Sequence, residues 1–184
     1  MFEHSVEDLR VEPVYGQPLV DGYLGITSQV KIKGIVKFKV TNKIDLTEAT
    51  IQFRGVEKTR FRVGGSLLEQ NIDLHHYVAP LITLEGPKTY LKGDHELSFE
   101  IEIDPAHLET LPASFESTPS VKANGKEQES AKPSASIEYE LKPTLSYNKT
   151  GMFKNTQKTS KSVVEPVDLP RLSLPSIANT IADS

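Results

Sequence analysis

The sequence predicts an all-β protein, an antiparallel immunoglobulin-like β-sandwich. Three observations carry the prediction. The clearest periodicity along the chain is two, the repeat of a strand with one face buried. The alternating segments are short and are punctuated by Gly and Pro. Finally, a Leu111-Pro-Ala-Ser-Phe115 turn is followed, after a low-complexity gap, by the alternating segment Ile137-Glu-Tyr-Glu-Leu141. No apolar stripe of helical period is sustained over about ten residues. The chain has 184 residues, enough for one domain of sandwich size and too few for two comfortable cores.

Taken in order, the first strong element runs from Val30 to Val40. Val30, Ile32, Gly34, Val36, Phe38 and Val40 fall on one face, and Lys31, Lys33, Lys37 and Lys39 fall on the other with Ile35 among them. Asn42-Lys43 begins a turn, and Ala49 to Phe53 resumes as a shorter strand ending at Gly55. Phe61-Arg-Val63 then runs into Gly64-Gly65, read as a break. Leu97 to Ile103 repeats the alternation with the opposite charge: Leu97, Phe99, Ile101 and Ile103 against Glu96, Glu100, Glu102 and Asp104. Pro105 closes it by removing a backbone donor. Ile137, Tyr139 and Leu141 alternate with Glu138, Glu140 and Lys142; Pro143 interrupts, and Leu145 and Tyr147 extend the strand beyond it. The expected core is Val36, Phe38, Ile51, Phe53, Phe99, Ile101, Tyr139 and Leu141.

Two segments are not committed to an alternating strand. Glu116 to Ser136 has almost no large apolar residue, and 154–184 is rich in Ser, Thr and Lys and then in Pro, with Val163-Val164 and Leu169 to Leu174 able to dock on a sheet edge. Glu116 to Ser136 reads as a mobile insertion within a sandwich spanning 1–153, and 154–184 reads as a linker or tail, partly docked on a sheet edge through Val163-Val164.

Composition narrows the function classes. The chain is 37% hydrophobic and 25% charged with a formal net charge of -4, which gives no bulk attraction to nucleic acid. There is no cysteine, so disulfides, thiolate metal sites and cysteine nucleophiles are excluded, a composition that suits the cytosol. The N-terminus lacks the apolar run of a signal peptide, and no apolar run approaches the roughly 20 residues of a membrane span. The expectation is a cytoplasmic protein. His75 and His76 are adjacent, so on a strand they point to opposite faces and do not chelate one metal. His4, His95 and His107 have no spaced carboxylate partner. Ser66 follows two glycines, but the GxSxG nucleophile motif is missing, and Gly64-Gly65 has no helix to cradle a phosphate. No catalytic residue, cofactor or metal site is expected.

At the level of motifs, Gly34-Ile-Val-Lys-Phe-Lys-Val40, Ile51-Gln-Phe-Arg-Gly55, Leu91-Lys-Gly93 leading to Phe99-Glu-Ile101, the Leu111–Phe115 turn and Ile137–Leu141 together resemble the arrestin N-terminal domain. The resemblance is nearest to the α-arrestin group of fungal type and covers roughly Leu9 to Tyr147. It implies a sandwich of roughly seven or eight strands. In it, Leu111, Pro112, Ser114, Phe115, Ile137, Tyr139 and Leu141 are structural motif residues. It also implies a non-catalytic adaptor that binds membrane-protein cargo tails for ubiquitination, endocytosis and intracellular trafficking, at the plasma membrane or endosomes. A HECT-type ubiquitin ligase would be recruited through regions outside this chain. The alternative is a lone arrestin-fold scaffold subunit of a retromer-like or other sorting complex. The sequence departs from the family in places. Where receptor arrestins carry paired lysines on the first strand, Ser5 to Val14 offers only Arg10; Asp104-Pro105 stands where Leu-Pro is usual; and no PPxY motif is present.

Two surfaces are candidates for contact. Lys31, Lys33, Lys37 and Lys39 form a basic strip able to meet anionic headgroups or phosphorylated cargo. If their strand neighbours Leu97–Ile103 antiparallel, the same lysines form a charge ladder with the glutamates instead. The second candidate is any open strand edge, because sandwiches bind extended peptides by adding a strand.

Overall fold

The computed structural model describes residues 5–22, 29–63, 66–82, 84–103, 111–112, 114–117, 134–150 and 156–169. These form eleven strands and no helix: β1 (Val6–Glu12), β2 (Val20–Asp21), β3 (Val30–Val40), β4 (Ile44–Val63), β5 (Ser66–Pro80), β6 (Lys88–Tyr90), β7 (Gly93–Ile103), β8 (Phe115–Ser117), β9 (Ser134–Thr150), β10 (Thr156–Ser162) and β11 (Glu165–Val167). Every pairing is antiparallel.

The smaller sheet is built on β3. β7 lines one edge over its full length, from Val30↔Ile103 to Val40↔Gly93. β1 and β2 share the other edge. Period-two alternation sets the inner face: Val30, Ile32, Gly34, Val36, Phe38 and Val40 are all buried, as are Phe99, Ile101 and Ile103 of β7. The larger sheet is built on β4. β9 runs along one side of it from Ile44↔Lys149 to Arg60↔Ser134. β6 and then β5 occupy the other side. β8, β11 and β10 line the far edge of β9. The inner faces of the two sheets share one core, in which all eight expected core residues are buried.

Three elements differ from the sequence reading. The strand expected to end at Gly55 continues to Val63. Gly55 is not a turn; it lies mid-strand beneath the ring of Tyr139, where a Cβ would sit 2.5 Å from Tyr139 Cε1. The second difference is Ser66–Pro80, which carries no clear apolar alternation in sequence and is a strand of 15 residues. It hydrogen-bonds back along β4 from Val63↔Ser66 to Thr50↔Pro80. Lastly, β9 passes straight through Pro143, which stays paired with Ile51 of β4.

The two segments without a clear alternating pattern also contribute structure. Glu116-Ser117 belong to β8 and Ser134–Ser136 to β9, while 118–133, Asp104 and Pro105 lie outside the described residues. The core does not stop at residue 153, because Val167 and Leu169 are part of it. β10 and β11 keep one register along β9, Ser162↔Thr144 and then Glu165↔Leu141. The pairing lapses only at Val163-Val164, opposite Pro143 and Lys142. A proline has no N–H to give to a ladder, which accounts for the lapse. Val163 packs on the core and Val164 is exposed.

Candidate protein-docking surface

The four lysines sit together on the outer face of β3, and the register places acids directly opposite: Lys31↔Glu102, Lys33↔Glu100, Lys37↔Glu96 and Lys39↔Asp94. Actual contacts spread sideways along and across the sheet. Lys31 Nζ donates to Glu100 Oε1 at 2.9 Å and lies 3.8 Å from Glu102. Lys33 reaches Asp21 of β2 at 3.5 Å, and Lys37 reaches Glu12 of β1 at 2.6 Å. Glu12 is shared with Arg10, the lone basic residue of the first strand, at 2.6 Å. These bonds hold charge in place. Glu100 is depressed below the usual carboxylate range by its bond from Lys31, and Glu12 by its bonds from Arg10 and Lys37. Lys31, Lys33 and Lys37 are therefore interleaved with acids in screened surface ion pairs, and Lys39 stands exposed opposite Asp94.

Of the turn and strand motif residues, Leu111, Tyr139 and Leu141 are buried, and Pro112, Ser114 and Ile137 are half-buried. Leu111 is buried in the core. Tyr139 Oη donates to the Pro112 carbonyl at 2.6 Å, and its ring stacks on Phe53 with centroids 5.7 Å apart and planes within 10°. Burial pushes the Tyr139 phenol up to about 12. Ser114 makes two bonds to one residue of the tail: Leu169 N donates to Ser114 Oγ at 2.8 Å, and Ser114 N donates to the Leu169 carbonyl at 3.1 Å. The Phe115 backbone pairs with Ile137, which packs against the core, and Leu141 of the same strand is buried. Thus the turn ties β9 to the tail.

The open surface is β5. Among the described residues only β4 pairs with it, so from Leu67 to Asp73 its outer edge carries backbone N–H and C=O groups with no ladder partner. Leu67, Leu68, Ile72, Tyr77 and Val78 are 49%, 45%, 43%, 45% and 51% exposed, which makes this strand the main concentration of exposed large apolar side chains. Leu68, Ile72 and Tyr77 lie on the face that continues the core, opposite Phe61, Glu57 and Phe53. The other face is charged. Arg54 bonds Asp73 at 2.6 Å and approaches Glu140 at 3.7 Å, Arg60 reaches Glu69 at 3.4 Å, and Lys58 bonds Glu138 at 2.7 Å. One extra residue, Leu74, bulges from β5 opposite the Gly55–Val56 step. Sequence reasoning misses this strand because neither of its faces is buried, so the alternation it carries is polar on one side and only sparsely apolar on the other.

His75 and His76 fall on β5 and face opposite sides, opposite Gly55 and Arg54; the His75 ring lies 5.6 Å from Phe53. His95 bonds the Leu91 carbonyl at 2.7 Å and packs edge-on to Tyr90. His4 and His107 lie outside the described residues. Among the described residues, no group of three His, Asp or Glu side chains is arranged to hold a metal, and no helix is long and apolar enough to cross a membrane.

No protein-family model matches the chain, and no curated protein sequence matches it. Among solved structures, the chain is similar to Spo0M, a sporulation control protein from Bacillus subtilis, at 10% identity and a TM-score of 0.45. The similarity covers 92% of this chain and 51% of Spo0M, so the chain spans about half the length of that protein.

Proposed function

We propose that this protein is a non-catalytic, arrestin-like adaptor that captures extended segments of partner proteins by strand addition. Its clients are the tails of membrane-protein cargo, which it presents for ubiquitination by a HECT-type ligase, endocytosis and onward sorting, working in the cytoplasm at plasma-membrane or endosomal surfaces. The observation that carries this reading is the open edge of β5, a long strand paired on one side only and flanked by exposed Leu68, Ile72 and Tyr77. The polar groups around it support a binding role. They are tied into surface ion pairs, and the phenol shifted most strongly, Tyr139, is bonded inside the core.

The test is affinity purification of the protein from its native cell, read by mass spectrometry, beside the double variant Leu68→Lys/Ile72→Lys. Both positions are exposed, so the variant should fold. Membrane transporters and a ligase recovered with the wild type and lost with the variant are the expected result. Clients that bind both forms equally would overturn the edge as the docking site. A stoichiometric coat complex without a ligase would instead indicate a scaffold subunit.

A further inference from the structure

The half of β5 that begins at Ser66 is two-fold self-complementary. Between Leu67 and Asp73 the strand is free of the bulge, and its side chains alternate strictly, with Leu68, Gln70 and Ile72 on one face and Leu67, Glu69, Asn71 and Asp73 on the other. Place a second copy antiparallel along the open edge with the symmetry axis at Gln70. Leu68 then stands opposite Ile72 of the second copy, and Ile72 opposite its Leu68, so two exposed apolar pairs form. Glu69 faces the Asn71 amide, which can donate to it, and Asp73 faces Leu67. No like charges stand directly opposite one another.

Neighbouring registers fail. With the axis at Glu69, that carboxylate meets its own copy. With the axis at Asn71, Glu69 meets Asp73. With the axis at Ile72, pairing runs into the Leu74 bulge, and the faces fall out of phase beyond it. An axis between two residues is excluded, because it would set side chains of opposite faces against one another. Apolar pairs on one face, amide–carboxylate pairs on the other and an open ladder between them are what an isologous interface requires.

We propose that, when no client is bound, two copies of this chain pair through β5 with the two-fold axis at Gln70, so that self-association caps the docking edge and a client strand must displace it. This rests on the reading of β5 as the docking edge. The ion pairs Arg54–Asp73 and Arg60–Glu69 lie on the β4 side of the strand and remain in place on pairing.

Sedimentation of the pure full chain across micromolar concentrations tests the proposal. The wild type should show a monomer–dimer equilibrium. Gln70→Lys and Gln70→Glu should each weaken it by about tenfold or more, since like charges then meet on the axis. Mixing the two variants should restore dimers of one copy of each, which only a register centred on residue 70 allows. The cysteine-free background provides a second readout. Opposite residues in antiparallel strands are about 4.5–5.5 Å apart at Cα, within disulfide range. Gln70→Cys should therefore oxidise to an inter-chain disulfide much faster than Asn71→Cys. A wild type that stays monomeric, a dimer indifferent to both charges, or a mixture that fails to re-associate would overturn the proposal. If the wild type is monomeric yet the Leu68→Lys/Ile72→Lys variant still loses its clients, self-pairing falls and the docking edge stands. A charge-sensitive dimer that recovers no clients supports self-pairing and removes the docking edge.

Discussion

Tyr139 shows how much one side chain can organise. Its ring fills the space above Gly55, stacks on Phe53 and places its hydroxyl on the Pro112 carbonyl. Each contact requires the others, because a Cβ at residue 55 would displace the ring and with it the hydrogen bond. Tyr147 is the useful contrast: it is as deeply buried, but its hydroxyl, near the Val6 backbone, lacks a hydrogen bond of good geometry among the described residues. Tyr139→Phe should therefore cost about 1–2 kcal/mol, by stranding the Pro112 carbonyl, whereas Tyr147→Phe should be neutral or stabilising. Urea denaturation of the two variants checks this. The pH dependence follows from the same burial. The folded-state value of Tyr139 lies above its ordinary value of 10, so its contribution is constant below pH 10 and is lost as pH rises toward about 12. That alkaline loss should be smaller in Tyr139→Phe. The tyrosine is legible in the sequence as a core residue, but the role of Gly55 is not. Gly55, coming straight after the short run to Phe53, reads as the end of a strand, and only the opposing ring explains why a glycine is needed there.

At the scale of elements, legibility tracks burial. β3 and β7 can be read residue by residue because each buries one face and exposes the other, and the predicted antiparallel pairing sets lysines opposite acids in the same sheet. β5 is illegible because both of its faces see solvent. β9 reads as two pieces because Pro143 marks a break in sequence, yet the strand needs its ladder intact on only one side at that point. The tail strands β10 and β11 are short and polar, and nothing in their composition indicates that they follow β9 in a single register. The join between the turn and this tail is the pair of bonds between Ser114 and Leu169. Ser114→Ala leaves the Leu169 N–H without its partner and should cost about 1–3 kcal/mol, lowering Tm by several degrees in a scanning melt. Ser114→Thr, which keeps the hydroxyl, should recover part of that loss.

At the scale of the whole molecule, the tail closes the fold. Residues 156–169 cover the far edge of β9 and place Val167 and Leu169 in the shared core. Ending the chain at residue 155 removes two buried apolar side chains and opens a long edge beside Tyr139. Losing two such side chains costs several kcal/mol, a large part of what holds a domain of this size together. The truncated protein should lose its cooperative melt and associate or aggregate, as seen by calorimetry and light scattering; a sharp melt near that of the full chain would contradict this account. The molecule thus covers one edge of β9 with its own tail, while among the described residues no strand lies beside the opposite edge of the larger sheet, β5.

Fold class, the inward faces of β3, β7 and β9, and the eight core residues were determined by the sequence itself, since period-two burial is a local pattern that each strand carries in its own residues. Three things were decided only by tertiary structure: the fit of Tyr139 over Gly55, the docking of the tail along β9, and the exposure of β5 at a sheet edge. Each depends on what a strand lies beside. Local alternation records which side of a strand is buried; it does not record which neighbour pairs with its backbone, or whether there is one.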